Sequence, residues 1–242
     1  MERIETVIRH SMSTDLILSS GFLAFARQVG VLRAIEQTGT TVDGICGTSS
    51  GALVGSMWAA GHDSKVLEAY FSEQTPLSML RMHRSVWRGV FSLHAVVERL
   101  REWLPPRFED LDHPFGVGVM GSNGCAAVLH SGPLPEAVAA SCAIPVLFAP
   151  VLVDGVAYQD GGAVDRTGLA GWRDIRGHRP TIVHLVERTG GAQMAPGAIP
   201  ADVDVIRTRR SGAQFWSLGD VQQQVLEAEQ RALKVLEARV SV

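Results

Sequence analysis

At 242 residues, with 46% hydrophobic and 19% charged side chains, the chain can build one generous core and has little room for a second. A formal net charge of −3 and a pI near 6.2 give no electrostatic reason to expect nucleic acid as a partner. The polar opening "MERIETVIRHSMSTD" lacks the apolar core of a secretory signal, and the longest apolar run, "CAIPVLFAPVLV", is too short to span a bilayer. The expectation is a soluble, cytoplasmic protein forming a single domain over residues 1–242.

In chain order, "DLILSS" from Asp15 is a short apolar run ending in turn residues, as a buried parallel strand would be. "FARQVGVLRAIEQTG" places Phe25, Val29, Leu32 and Ile35 at helical spacing, with Gly39 as the stop. "VDGICG" is the next strand and "SGALVGSMWAAG" the next helix, closed by Gly61. Strand–helix–strand–helix predicts an α/β sandwich of three layers, with a mainly parallel central sheet flanked by helices.

Residues 64–105 read as mostly helical. "PFGVGVMG" and "AAVLHSG" read as strands around a turn at Ser122, Asn123 and Gly124, and "LPEAVAASCA" as a short helix ended before Pro145. "PVLVDGVAYQDGG" carries a hairpin signal at Asp154-Gly155. "TIVHLVER" and "VDVIRT" are the last strands, and a final helix covers 220–239. The loop "TGGAQMAPGAIPAD" is rich in Gly, Ala and Pro and reads as flexible. Cys46, Cys125 and Cys142 form an odd set without metal-type spacing, which predicts reduced, buried thiols. No metal or cofactor is expected.

Gly47-Thr48-Ser49-Ser50-Gly51 matches G-x-S-x-G, a pattern that chance supplies often, since small residues crowd strand-to-helix turns. Here it stands between a predicted strand and a predicted helix, the setting of a nucleophile elbow. Gly47 and Gly51 would let the backbone turn sharply and keep side chains away from an approaching acyl group. The helix behind the turn would aim its N-terminal N–H groups at the same spot and favour negative charge there. A serine hydroxyl needs a base to take its proton. Asp160, followed by Gly161 and Gly162, is one candidate; His178 and His184 are others. His184 lies mid-strand among apolar residues, and His178 lies between Arg176 and Arg179 in a surface-type loop. These residue types leave a Ser–Asp dyad and a Ser–Asp–His triad both open.

The segments "VDGICGTSSGALVGSMWAAGHD" and "EAVAASCAIPVLFAPVLVDGVAYQDGGAVD" resemble the nucleophile and Asp-Gly-Gly segments of the patatin-like phospholipases, acyl hydrolases with a Ser–Asp dyad. The resemblance runs from about Asp15 to the last helix; "RFEDLDHPFGVGV" and "AAVLHSGPL" are similar to its connecting strands. It puts Ser49 in the nucleophile position and Asp160, 111 residues later, in the base position. The family's first motif, a glycine run followed by Arg-Gly, is replaced here by Ser19-Ser20-Gly21-Phe22-Leu23-Ala24, with one glycine and no arginine. That stretch is closer to the Gly-x-Gly-Phe-Leu-Gly version of the animal triglyceride lipases. Backbone donors need no particular side chain, so the resemblance implies an oxyanion hole from Gly21, Phe22 and Ser50 N–H groups. The departure bears on efficiency and substrate range, because Ser and Ala restrict φ where glycine does not.

The resemblance thus implies a lipid acyl hydrolase of phospholipase A or esterase type, working through an acyl-enzyme in a pocket dry enough to make Asp160 an adequate base. The alternatives are an acyltransferase on the same dyad and a catalytically weak lipid- or acyl-binding protein. No acidic residue lies between Glu73 and Glu98, while Arg81, Arg84 and Arg88 recur at helical spacing beside Met79, Met82, Val86, Trp87, Val90 and Phe91. This reads either as a basic amphipathic lid that meets a membrane surface or as a helix packed on the core. In the last helix Leu218, Val221, Val225, Ala228, Ala232 and Val235 make a seam that suits either dimerisation or cover for the chain's own sheet.

Overall fold

The computed structural model describes residues 13–73, 81–82, 91–187, 199–214 and 216–240. Its strands are β1 Thr14–Leu18, β2 Val42–Thr48, β3 Arg81–Met82, β4 Phe91–Ser92, β5 Phe115–Gly121, β6 Ala126–Leu129, β7 Val151–Val153, β8 Val156–Asp160, β9 Thr181–Val186 and β10 Asp204–Thr208. Its helices are α1 Phe25–Thr38, α2 Ser50–Ala59, α3 Ser64–Glu73, α4 His94–Leu100, α5 Leu134–Ser141, α6 Leu169–Arg176 and α7 Val221–Val240.

One sheet runs in the order β10-β9-β1-β2-β5-β8-β7, with β6 also paired to β5. From β10 to β5 every pairing is parallel; β6, β7 and β8 add antiparallel pairings. Successive residues of a strand face opposite sides of a sheet. Accordingly Leu16, Leu18, Ile45 and Ile182 join the core that includes α1, α2, α5 and α7, while Ile17, Cys46 and Val183 pack with Leu169 and Trp172 of α6 on the other face. Burial on both faces explains why these strands are apolar without alternation. This is the three-layer α/β sandwich expected from the sequence.

Three departures stand out. Among the described residues of 64–105, read from sequence as mostly helical, the chain forms helices α3 and α4 and also a short antiparallel pair of β3 with β4. The proposed lid residues Met79, Arg84, Val86, Trp87, Arg88 and Val90 lie outside the described residues, as does most of the Gly/Ala/Pro-rich loop. Helix α6 was not foreseen, although Gly168 and Gly177, both at positive φ, bracket it and Leu169 and Trp172 sit three apart on its buried side. All three cysteines are free; Cys46 is buried and Cys142 partly exposed, while Cys125 is exposed in the β5–β6 turn, which corrects the expectation of buried thiols.

Helix α7 covers the chain's own structure. Val221, Val225, Ala228 and Ala232 are buried against the main core, the ordinary reading of that seam. At the opposite end of the sheet, the starts of β1 and β2 are joined to α6. The Arg176 guanidinium donates to Asp15 at 3.2 Å and Asp43 at 2.8 Å, and the Trp172 indole N–H donates to Asp15 at 2.9 Å. Paired in this way, the buried Asp15 carboxylate avoids the cost of an isolated charge.

Candidate active site

Strand β2 ends at Thr48 and α2 starts at Ser50, so Ser49 carries the whole reversal between them. It does so at φ 54°, ψ −118°, a conformation that costs a non-glycine residue on the order of 1–3 kcal/mol. Neighbouring structure holds it there. The Ser49 N–H donates to Ser141 Oγ at 2.7 Å, and the Ser141 hydroxyl donates to the Gly118 carbonyl at 2.6 Å. A Cβ at Gly51 would lie 2.0 Å from the Leu18 carbonyl oxygen, and one at Gly47 would lie 2.4 Å from the Gly51 oxygen. Close approach, more than φ, is what demands glycine at both positions.

Asp160 closes β8, whose register sets it opposite Val119 of β5. It is 6% exposed. Its Oδ1 accepts the Gly162 N–H at 2.7 Å as the chain turns through Gly161–Ala163, and its Oδ2 accepts the Ser49 hydroxyl at 2.7 Å. A Cβ on Gly162 would stand 2.7 Å from Ser20 Oγ, so the second glycine lets this turn press against the Ser19–Ala24 loop. The thiol of Cys142 is pushed up by burial and further by the negative charge of Asp160. The structure therefore joins Ser49 and Asp160, which lie 111 residues apart in the chain.

The histidines are placed elsewhere. His184 is fully buried in β9, with Nδ1 against Gln28 Oε1 and Nε2 2.8 Å from Thr208 Oγ1. Burial, with the Arg27 charge adding, lowers its pKa to about 3. His178 has a side chain 79% exposed and stands 3.8 Å from Asp202. Neither lines the pocket that contains Ser49 and Asp160.

That pocket has a volume of about 550 Å³, and Gly21, Phe22, Ile144 and Pro145 are among its lining residues. Gly21 and Phe22 line it directly; Ser50 is buried at the first turn of α2, whose N-terminal end faces negative charge favourably. In the Ser19–Ala24 loop it is Leu23, at φ 48°, that takes the left-handed turn, while Gly21 is needed for space, since its Cβ would meet Ala24 Cβ at 2.8 Å.

Two residues of the site were not singled out from sequence. One is Ser141, three residues before Ile144 and Pro145 of the pocket wall, which holds the Ser49 N–H. The other is Arg166, whose Nη2 donates to the Ser20 carbonyl at 2.9 Å and to the Val186 carbonyl at 2.5 Å, while its own carbonyl accepts the Ser20 N–H at 2.7 Å. A guanidinium thus braces the loop that itself lacks an arginine. Its position six residues after Asp160 was the available signal.

The patatin-like phospholipase family model matches residues 16–170. The chain belongs to the patatin-like phospholipase family. Among its relatives, an uncharacterized NTE family protein of Mycobacterium tuberculosis is 32% identical over 163 residues, 64% of this chain and 44% of that protein. A patatin-like phospholipase domain-containing protein of Caenorhabditis elegans is 30% identical over 162 residues, 62% of this chain and 12% of the other. The match thus spans less than half the length of these relatives. In fold, the chain is similar to VipD from Legionella pneumophila, with TM-score 0.59 and 13% identity over 94% of this chain and 67% of that one. Full-length ExoU in complex with SpcU from Pseudomonas aeruginosa gives TM-score 0.56 and 13% identity, covering 96% of this patatin-like chain and 53% of the other. Family membership supports lipid hydrolase activity in general.

Proposed function

We propose that this patatin-like chain hydrolyses carboxylic esters of phospholipids or acylglycerols through a Ser49–Asp160 dyad. The observation that carries the reading is the 2.7 Å hydrogen bond from the Ser49 hydroxyl to Asp160 at the floor of an open pocket. Ser49 Oγ attacks the ester carbonyl carbon as its proton passes to Asp160 Oδ2. The carbonyl π pair moves to oxygen, and backbone N–H groups of Gly21 or Phe22 and of Ser50 stabilise the resulting anion. Each such donor is typically worth about 3 kcal/mol in the transition state. Collapse expels the alcohol, which takes the proton from Asp160 and leaves an acyl-Ser49 ester. Water then gives its proton to Asp160, attacks the acyl carbon, and releases the fatty acid as the proton returns to Ser49.

The wall beside this pair suits an acyl chain. Ile144, Pro145, Val186 and Ala213 offer apolar surface, and Phe22 stands at the entrance. The test measures turnover of a short-chain nitrophenyl ester by folded Ser49→Ala, Asp160→Asn, His178→Ala and His184→Ala variants. The first two are expected to lose at least about a thousandfold in kcat, with fluorophosphonate labelling lost in Ser49→Ala, while both histidine variants retain turnover. A histidine variant as inactive as Ser49→Ala would replace the dyad with a triad.

A further inference from the structure

Among the described residues, four of the nine exposed large apolar side chains belong to loops that line the pocket. Phe22, 50% exposed, lines the pocket itself. Val146, 89% exposed, follows Pro145 of the lining; Val164, 46% exposed, follows Ala163 of the lining. Trp216, 66% exposed, sits in the Gln214–Ser217 turn just beyond the lining residue Ala213. These four come from four separate loops, and each loop also lines the pocket. Val146 holds its outward position at φ 71°, a backbone region costly for a β-branched residue.

Basic charge adjoins this collar. β10 ends at Thr208, at the same sheet end as Ser49, and the chain continues with Arg209 and Arg210. Arg210 and Glu187 both line the pocket, while Arg209, next in the chain to Arg210, lines a second cleft of about 560 Å³ together with Arg207, Arg231 and Lys234. Glu227 and Gln230 are the polar residues that share the cleft, and Glu227 is engaged by Arg27 at 2.7 Å. An apolar rim flanked by cationic side chains is the surface chemistry of a protein that rests in the interface of an anionic bilayer.

We propose that the mouth of the Ser49 pocket docks on an anionic phospholipid bilayer. Phe22, Val146, Val164 and Trp216 enter the boundary between headgroups and acyl chains, and the Arg207–Arg209–Arg231–Lys234 cleft meets headgroup phosphates. Docked this way, the pocket opens onto the bilayer, and an ester-linked chain passes to Ser49 without crossing water. That route rests on the acyl hydrolase reading above; the docking surface itself does not. The far end of the sheet, where Arg176 bridges Asp15 and Asp43, faces away from the membrane and carries the half-exposed Ile175 on α6.

The test uses the whole chain with Ser49→Ala, so that lipid is not consumed, and vesicles of phosphatidylcholine with or without phosphatidylglycerol. The expected result is co-sedimentation with the mixed vesicles and weaker binding to phosphatidylcholine alone. Val146→Asp combined with Trp216→Ser should lower the partition coefficient by about tenfold, and Arg209→Glu should remove the preference for phosphatidylglycerol. Ile175→Asp should leave both unchanged. Trp216→Phe, a conservative change, should abolish the vesicle-induced blue shift of tryptophan fluorescence.

With Ser49 restored, Val146→Asp/Trp216→Ser and Arg209→Glu should turn over a soluble short-chain ester as the unaltered chain does. Failure of the parent to bind either vesicle overturns the proposal. So does equal binding by the collar variant, an equal loss with Ile175→Asp, or a blue shift that survives Trp216→Phe. Soluble-ester turnover without vesicle binding would sink the docking surface and spare the dyad; vesicle binding without ester turnover would do the reverse.

Discussion

Ser49 and Asp160 need a stiff frame, because a hydrogen bond of 2.7 Å between a turn residue and the end of a distant strand tolerates little drift. Arg166 supplies part of that frame from outside the motifs. Its guanidinium ties the Ser20 carbonyl to the Val186 carbonyl, and its backbone accepts from Ser20, so the loop carrying Gly21 and Phe22 is braced from both directions. Arg166→Ala is expected to lower kcat for a soluble ester by about ten- to a hundredfold with little change in KM, as displaced oxyanion donors would. Arg166→Lys should recover part of this, since both carbonyls accept from the single Nη2 and an ammonium can donate to the same pair, but from a shorter and more freely rotating side chain. A change confined to melting temperature, with kcat intact, would reduce Arg166 to a structural role. Steady-state kinetics on the two variants decide between these.

At the scale of elements, α1 against α7 shows how packing overrides propensity. Gly30 lies mid-helix in α1, where alanine would be favoured by about 1 kcal/mol on propensity alone. A Cβ there would stand 2.2 Å from the Val225 carbonyl oxygen and 2.8 Å from Ala228 Cβ, so the two helices would have to separate. Gly30→Ala is therefore expected to destabilise by roughly 1–3 kcal/mol, read as a lower urea midpoint at unchanged slope. The same reasoning explains the small residues Ala228 and Ala232 on α7: the helix closes on its own chain. The 64–105 stretch shows the opposite failing of local reasoning. Its helical spacing persisted through residues that the fold uses partly for the β3–β4 pair, because a two-residue strand leaves no periodicity to detect.

For the whole molecule, the buried His184 links stability to pH. The unfolded chain binds a proton on this imidazole below pH 6.5, whereas the folded chain holds it neutral until about pH 3. Stability is therefore fully present above pH 6.5 and falls as pH decreases through that window, by up to about 1.4 kcal/mol per unit. Between pH 7 and pH 5 this group alone contributes a loss of roughly 2 kcal/mol. Chemical denaturation at both pH values should show that loss, and His184→Gln should reduce it while lowering stability at pH 7. Equal pH slopes in the two proteins would remove His184 as the cause.

The chain by itself determined the alternation of strands and helices, the turn that carries Ser49, and the Asp-Gly-Gly segment that carries Asp160. Those features are local: apolar runs, helical spacing and glycines act within a few residues of themselves. What only the tertiary structure decided is which distant groups meet. It brought Asp160 rather than His178 or His184 to Ser49, and placed Arg166 across the loop that lacks its own arginine. Such meetings are set by strand order and register, properties of the closed sheet that no short window of sequence contains.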